Sequence, residues 1–235
     1  MFRYFIEATV IICGILLSLY IDELNTRNRN IETKIELLQD LNQSLDDDFS
    51  QIQTIRSILQ NSLNLISYLQ DDIESNHKIL SDQDAVNYII DIEVAASFFP
   101  GMGVYNELIS SGSYELVKDS ELKRTLFDLY ETQKERNYTI SLGLDLLQTD
   151  YLKETYKEFG IRFEYEIDQG DVYGDRVLLN YDFNEQYYLS KYLYGILSTM
   201  NAPAYNYMRL LKEAERSITD LKNQIASEIQ ASKIN

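Results

Sequence analysis

Residues 31–74, "IETKIELLQDLNQSLDDDFSQIQTIRSILQNSLNLISYLQDDIE", carry the most regular pattern in the chain and indicate its fold class. Apolar residues return at alternating intervals of three and four, which is the repeat of one face of an α-helix. The members of this stripe are Ile31, Ile35, Leu38, Leu41, Leu45, Phe49, Ile52, Ile55, Leu59, Leu63, Ile66, Leu69 and Ile73. The pattern predicts one helix ending near residue 75, as a coiled-coil strand or, because more helices follow, as part of a bundle.

The segment "FIEATVIICGILLSLYI", residues 5–21, precedes this stripe and is almost entirely apolar. A membrane-spanning helix needs about 20 apolar residues, with a lower limit near 17. Tyr4 and Tyr20 stand at its two ends, where aromatic rings favour a membrane interface. The bulky, acidic exit "LLSLYIDEL" is unlike a signal-peptide cleavage site. We therefore predict an uncleaved, single-pass anchor at residues 1–24 in the plasma (inner) membrane, followed by a helical soluble domain at residues 25–235.

The polar and small residues of this anchor fall on one helical stripe. The stripe contains Arg3, Glu7, Ile11, Gly14, Ser18, Ile21, Asn25 and Asn28. Small residues let helices approach closely, and charged groups in a bilayer usually face protein. The pattern predicts a homo-oligomer whose contact face is formed by Glu7, Ile11, Gly14 and Ser18. Two alternatives are that Glu7 pairs with Arg3 at the membrane edge, and that the stripe lines an ion pathway.

Charge and cysteine content exclude several functional classes. The net charge is −17, and all of this excess lies in residues 31–235 because residues 1–30 sum to zero. So acidic a body repels nucleic acid, and we expect no nucleic-acid partner. The single cysteine, Cys13, provides neither a disulfide framework nor a thiol metal site. We expect no cofactor and no metal.

Two further helical regions follow the long stripe. Residues 81–99, "SDQDAVNYIIDIEVAASFF", begin with a capping Ser81 or Asp82 and predict a second helix. A turn at Pro100, Gly101 and Gly103 ends it. A short helix over residues 105–111 then stops at Gly112, and Asp119 or Ser120 caps a longer one.

Residues 161–183 are the one region that the sequence predicts to be non-helical, because apolar residues there alternate with the period of two of an extended strand. The sequence predicts a small β-hairpin there. Three aspartates, Asp168, Asp171 and Asp175, lie at its tip. They favour a solvated turn, with a calcium loop as the alternative.

The C-terminal region has two helical segments, residues 184–201 and 202–230, with Pro203 in the first turn of the second. The second segment is long and amphipathic, so we expect it to pack antiparallel against the N-terminal helix. The predicted fold is mainly α, with one transmembrane helix continuing into a long helix of an elongated bundle, and at most one small β-hairpin.

Catalytic motifs are lacking in the sequence. His77 is the only histidine, and one histidine without a neighbouring cysteine does not build a zinc site. The G-x-S-x-G nucleophile motif is absent. We therefore predict that the protein is not an enzyme.

Two stretches carry a family resemblance: "IEATVIICGILLSLYIDELN" (6–25) and "YNELISSGSYELVKDSELKRTLFDLY" (105–130). They resemble an uncharacterised family of small single-pass membrane proteins that is common in Bacteroidota. The resemblance implies no activity. Relatives often carry a longer basic N-terminal tail, which implies a body outside the membrane. Arg27, Arg29 and Lys34 instead favour a cytoplasmic body by the positive-inside rule, so the side stays open.

These observations lead to two functional hypotheses. The first is a membrane-anchored helical structural or interaction protein that self-associates through its anchor and binds a protein partner through its soluble domain. The alternative is an oligomeric membrane effector or channel-like assembly, gated by the soluble domain in stress or phage defence.

Overall fold

The computed structural model describes residues 2–166 and 175–234. Its first element, α1, is a single helix from Phe2 to Glu74. The predicted helix that ends near residue 75 is therefore confirmed. The helix forms because the apolar stripe continues without Pro. Burial of this stripe stabilises the helix more than the intrinsic helix propensity of its residues does.

The predicted transmembrane helix is wrong: in residues 2–166 and 175–234, no helix has the length and apolarity that crossing a membrane demands. The apolar run at the start of α1 covers residues 5–21, so its length lies at the lower limit of about 17 residues for a spanning helix, and Glu7 interrupts it. Acidic side chains follow it directly, at Asp22 and Glu23.

The rest of the described chain is also mainly helical. The helices are α2 (Asp82–Asp91), α3 (Met102–Ser110), α4 (Ser120–Phe127), α5 (Lys134–Phe159), α6 (Glu185–Tyr188) and α7 (Lys191–Ile234), and the strands are β1 (Arg162–Glu166) and β2 (Asp175–Asn180). A 3-10 turn covers Ser113–Leu116, and a π-helical turn at Asp128–Gln133 connects α4 to α5.

The second helix begins as predicted and ends earlier. Ser81 is the N-cap of α2, and its hydroxyl accepts a hydrogen bond from the Asp84 amide. The helix ends at Asp91 instead of continuing to residue 99. Beyond it, alternate side chains of an extended segment are buried: Ile92, Val94, Ala96 and Phe98. This alternation has a period of two, so burying it requires an extended backbone.

The predicted helix end at Gly112 and the predicted cap at Asp119, both between α3 and α4, are confirmed. Gly112 has a φ of 74°, the left-handed conformation that glycine adopts without strain. Asp119 is the N-cap of α4, and its carboxylate accepts from the amides of Glu121 and Leu122.

The predicted hairpin is present. Strands β1 and β2 pair antiparallel, with Phe163 opposite Leu178 and Tyr165 opposite Arg176. Its predicted tip, with Asp168 and Asp171 of the aspartates proposed for calcium, lies outside the described residues, and Asp175 begins β2.

The C-terminal region is one helix, which corrects the predicted break at residue 202. Pro203 lies inside α7. A proline costs a helix about 3 kcal/mol because it removes one backbone hydrogen bond. Buried side chains on both sides of it, Met200, Ala204 and Tyr207, hold the helix together through this position.

The chain forms two compact units, each discontinuous in sequence. Unit 1 contains Met1–Asp47, Gly101–Tyr130 and Ser217–Asn235. Within it α1 and α7 run antiparallel, because Lys34 pairs with Glu228 and Asp46 pairs with Lys222. Its buried side chains include Leu38, Leu41, Leu45, Leu108, Leu122, Leu126, Leu221 and Ile225.

Unit 2 contains Asp48–Pro100 and Glu131–Arg216. Here too α1 and α7 run antiparallel, because Arg56 pairs with Glu215 and the Gln70 amide donates to the Ser198 hydroxyl at 2.9 Å. The predicted antiparallel packing is thus confirmed in each unit. The unit 2 core includes Ile52, Ile55, Leu59, Ile66, Leu69, Ile89, Leu193, Leu197 and Tyr207. The proposed division at residues 1–24 and 25–235 stays a prediction.

Candidate functional site

The start of α1 presents an apolar surface that the rest of the chain leaves exposed. We call residues 11–21 the apolar segment. Its eight large apolar side chains are Ile11, Ile12, Ile15, Leu16, Leu17, Leu19, Tyr20 and Ile21, and their exposed fractions lie between 49% and 62%. Since each residue of an α-helix turns by about 100°, these eight side chains point in all directions around the axis. The segment is therefore apolar and exposed on every face.

The predicted oligomer face lies on this part of α1. Glu7, Ile11, Gly14 and Ser18 are all exposed and follow one another at helical intervals. A Cβ atom built on Gly14 would meet nothing within 4 Å, so the backbone is accessible there. The structure brings these four residues onto one side of one helix, and their role in self-association stays a prediction.

A different cluster, around Asp72 in unit 2, is the most extensive polar network that the structure adds. Asp72 lies at the end of α1 and is fully buried. One carboxylate oxygen accepts from the amides of Ile79 and Leu80 at 2.8 and 3.0 Å. The other contacts the His77 ring at 2.6 Å and accepts from the Tyr188 hydroxyl at 2.7 Å. This carboxylate thereby joins the end of α1, the following loop and α6.

His77 bridges two carboxylates. Its Nδ1 contacts Asp72, and its Nε2 contacts Asp82 at 2.9 Å. Carboxylates only accept hydrogen bonds, so both ring nitrogens donate together only when the ring is protonated. The ring also stacks on Phe183 and meets the Tyr188 ring edge-on, with centroids at 4.9 and 4.8 Å.

The backbone at this cluster is strained. Asn76 and His77 have φ values of 58° and 54°, in the left-handed region that residues other than glycine rarely adopt. Holding two successive residues there costs free energy, which the contacts of Asp72 and His77 offset.

The directions in which folding shifts the pKa values of Asp72 and His77 agree with a charged pair. Burial alone would raise the pKa of Asp72, but the bonds from His77, Tyr188 and two backbone amides outweigh it and lower that pKa. Burial alone would lower the pKa of His77, but Asp72 and Asp82 outweigh it and raise that pKa. Burial, together with the bond to Asp72, raises the pKa of Tyr188 far above its ordinary value. The network is therefore an ion pair with a neutral phenol as an additional donor.

Unit 1 contains a second buried ion pair. Lys34 is 2% exposed and Glu228 4% exposed. The ammonium group donates to Glu228 at 2.8 Å, to the Ser232 hydroxyl at 2.7 Å and to the Leu116 carbonyl at 3.3 Å. Glu228 also accepts from the amides of Lys118 and Asp119, each at 3.2 Å. Every proton of the ammonium group therefore has an acceptor, which offsets the cost of burying it.

Neither cluster has an arrangement that suggests catalysis. Carboxylates occupy both nitrogens of His77, so the ring has no nitrogen left to deprotonate a substrate. The described part of the chain contains no group of three or more His, Cys, Asp and Glu residues arranged to hold a metal ion. The side chains of Asp168, Asp171 and Asp175 are not among those described.

Sequence reasoning excluded a zinc site at His77 and missed the partners of its ring. A local signal exists, since Asp72 and Asp82 each stand five residues from the only histidine. The third partner, Tyr188, is 116 residues from Asp72 in sequence, and no local pattern connects them.

The fold and these clusters define a mainly helical protein with an exposed apolar end and buried ion pairs in both units. The chain belongs to DUF6090, a family of unknown function, whose model matches residues 7–157. The matched range contains the stretch 105–130 and all but the first residue of the stretch 6–25, on which the family resemblance was based. No curated protein and no solved structure matches this chain.

Proposed function

We propose that this protein is a helical interaction protein that attaches to a lipid bilayer through the apolar segment of α1. The observation that carries the proposal is that residues 11–21 are apolar and exposed on every face of the helix. A helix that is hydrophobic all round is ordinarily surrounded by an apolar environment. One packed partner helix covers only one side, and lipid covers all sides.

The energetic gain is sufficient for attachment. Burying a Leu or Ile side chain fully contributes about 1.5–3 kcal/mol. With eight large apolar side chains at about half exposure, immersion in lipid contributes on the order of 10 kcal/mol. The proposal concerns attachment and includes no crossing of the bilayer. The plasma (inner) membrane stays the predicted location, with the side open.

The net charge of the chain predicts which vesicles it should bind. With a net charge of −17, the chain gains nothing from anionic headgroups. Binding should therefore be at least as strong on zwitterionic as on anionic vesicles, and it should persist at high salt.

Vesicle flotation tests the proposal. Full-length protein should float with phosphatidylcholine vesicles, and the triple variant Ile12→Glu, Leu16→Glu, Leu19→Glu should not. A matched control places three glutamates at other exposed apolar positions, Ile79, Phe127 and Leu179. The control should float like the parent. Equal flotation of both variants would contradict attachment through the apolar segment.

Self-association through Glu7, Ile11, Gly14 and Ser18 is the second part of the proposal. It is supported by the accessible backbone at Gly14 in the middle of large aliphatic side chains. Cross-linking of detergent-solubilised protein tests it. Glu7→Leu should shift the products to a smaller species, whereas Glu32→Leu, also on α1, should not. An unchanged pattern in Glu7→Leu would remove this face.

A further inference from the structure

Helix α5 has several polar residues on its buried side, where an amphipathic helix ordinarily has apolar ones. Asn137, Ser141, Gln148 and Thr155 are all buried. Ser141 and Thr155 donate to carbonyls of α5 itself, whereas Gln148 and Asn137 bond the extended segment after α2, which pairs with no strand in the described part of the chain. The amide nitrogen of Gln148 donates to the Ile92 carbonyl at 2.9 Å, and its oxygen accepts from the Val94 amide at 3.0 Å. Asn137 donates to the Phe98 carbonyl at 2.5 Å.

The opposite side of α5 carries large apolar residues in water. Tyr138, Leu142 and Leu146 follow one another at intervals of four and are 55%, 46% and 69% exposed. We call these three residues the outer stripe. Single exposed apolar residues are ordinary, but a continuous row on one helix face marks an interaction surface.

The charges at the two ends of the outer stripe have opposite signs. Glu135 lies one turn before Tyr138, and Lys153 lies two turns after Leu146, both exposed and on the same side of the helix. A second copy of α5 in antiparallel orientation would place Glu135 against Lys153 at both ends. The same arrangement sets Leu142 against Leu146. A parallel orientation would place like charges together.

We propose that the outer stripe is a contact between two copies of this chain, related by a two-fold axis that makes the two α5 helices antiparallel. A chain with a net charge of −17 associates with itself only where charges are locally balanced, and the ends of this stripe balance each other. Three large side chains on each copy form less than the roughly 800 Å² per partner of a stable complex. The contact is therefore transient. It is independent of the attachment to lipid and of the face around Glu7.

Zero-length cross-linking of carboxylates to amines tests the contact at residue level. Equal amounts of isotopically light and heavy full-length protein are mixed in mild detergent, and the products are digested and analysed by mass spectrometry. We expect a mixed light–heavy peptide pair that joins Glu135 to Lys153. Within one chain these residues are 18 positions apart on α5, about 27 Å, which no zero-length reagent bridges.

Leu142→Glu should abolish this product. Leu179→Glu is the matched control, because Leu179 is also 46% exposed, and it should leave the product unchanged. Absence of the product in the parent, or its persistence in Leu142→Glu, would overturn the proposal. Since the product names its two residues, association through Glu7 does not produce it.

Charge exchange gives a second, independent measurement. Glu135→Lys alone and Lys153→Glu alone place like charges together at both ends, so the Leu142–Leu146 contact should weaken in each. A mixture of the two variants restores opposite charges at both ends. Sedimentation velocity should show association in the mixture and less in either variant alone. Equal sedimentation of all three samples would contradict the antiparallel arrangement.

Discussion

Glu228 in unit 1 and Asp72 in unit 2 are two buried carboxylates with similar surroundings and different cations. Each accepts hydrogen bonds from two backbone amides. The cation beside Glu228 is the ammonium group of Lys34, and the cation beside Asp72 is the ring of His77. An imidazole titrates close to the neutral pH range, so the cation beside Asp72 changes its charge there. The two units should therefore respond alike to acid and differently near neutral pH.

Lys34→Met should have the largest effect on stability. The substitution leaves Glu228 buried and without its cation, which costs about 3–5 kcal/mol of unfolding free energy. Urea unfolding followed by circular dichroism in mild detergent measures this change. Lys222→Met is the matched control, because Lys222 forms a partly exposed pair with Asp46 in the same unit. Its loss should cost less than about 1 kcal/mol, and equal costs would show that burial of the pair does not matter.

Asp72→Asn should have the next largest effect, about 3 kcal/mol. The amide keeps one acceptor for Ile79 and Leu80 but places a donor group against His77 and Tyr188, both of which donate to the native carboxylate. Asp82→Asn is the control in the same network, since Asp82 is 56% exposed and its carboxylate contacts His77 alone. A smaller loss for Asp72 than for Asp82 would remove Asp72 from the centre of the cluster.

Tyr188→Phe removes one hydrogen bond from the same carboxylate and preserves the ring contacts. The expected cost is about 1.5 kcal/mol, because the lost bond is to a charged acceptor. Tyr194→Phe removes the corresponding bond to Glu74 at an exposed position and should cost much less, because water replaces the lost bond. If both substitutions cost the same, the Tyr188 hydroxyl does not stabilise Asp72.

Local patterns predicted much of the fold. The extent of α1 follows from thirteen apolar positions in register, and the caps at Ser81 and Asp119 follow from side chains that bond nearby amides. The period of two in residues 161–168 predicted the first strand of the hairpin.

Tertiary contacts account for what local patterns missed. α2 stops at Asp91 because side chains of the distant α5 satisfy the extended backbone after it, as Gln148 does at Val94. α7 passes through Pro203 because core packing on both sides outweighs the lost hydrogen bond. The Asp72 cluster combines residues from the two sequence segments of unit 2. The two aspartates near His77 were therefore visible in the sequence, whereas the contact with Tyr188 was not.

The pH dependence of stability should show the difference between the two clusters directly, with the smallest effect of the series. The pKa values of Asp72 and Glu228 are lowered by folding, so the stability they contribute is present above their unfolded values near 4 and is lost as the pH falls through the folded pKa values. Both units therefore weaken in acid. The pKa of His77 is raised by folding, so its contribution is complete below the unfolded value near 6.5 and is lost as the pH rises through the folded pKa. The cluster of Lys34 and Glu228 in unit 1 contains no histidine. Stability should thus be highest between about pH 4 and 6.5.

His77→Gln should abolish the decline near neutral pH and preserve the decline in acid. Because His77 is the only histidine, its ring signals in a nuclear magnetic resonance titration are unambiguous. A measured pKa at or below the ordinary histidine value would show that the ring does not donate to both carboxylates, and amide exchange that responded equally in both units would remove the distinction between them.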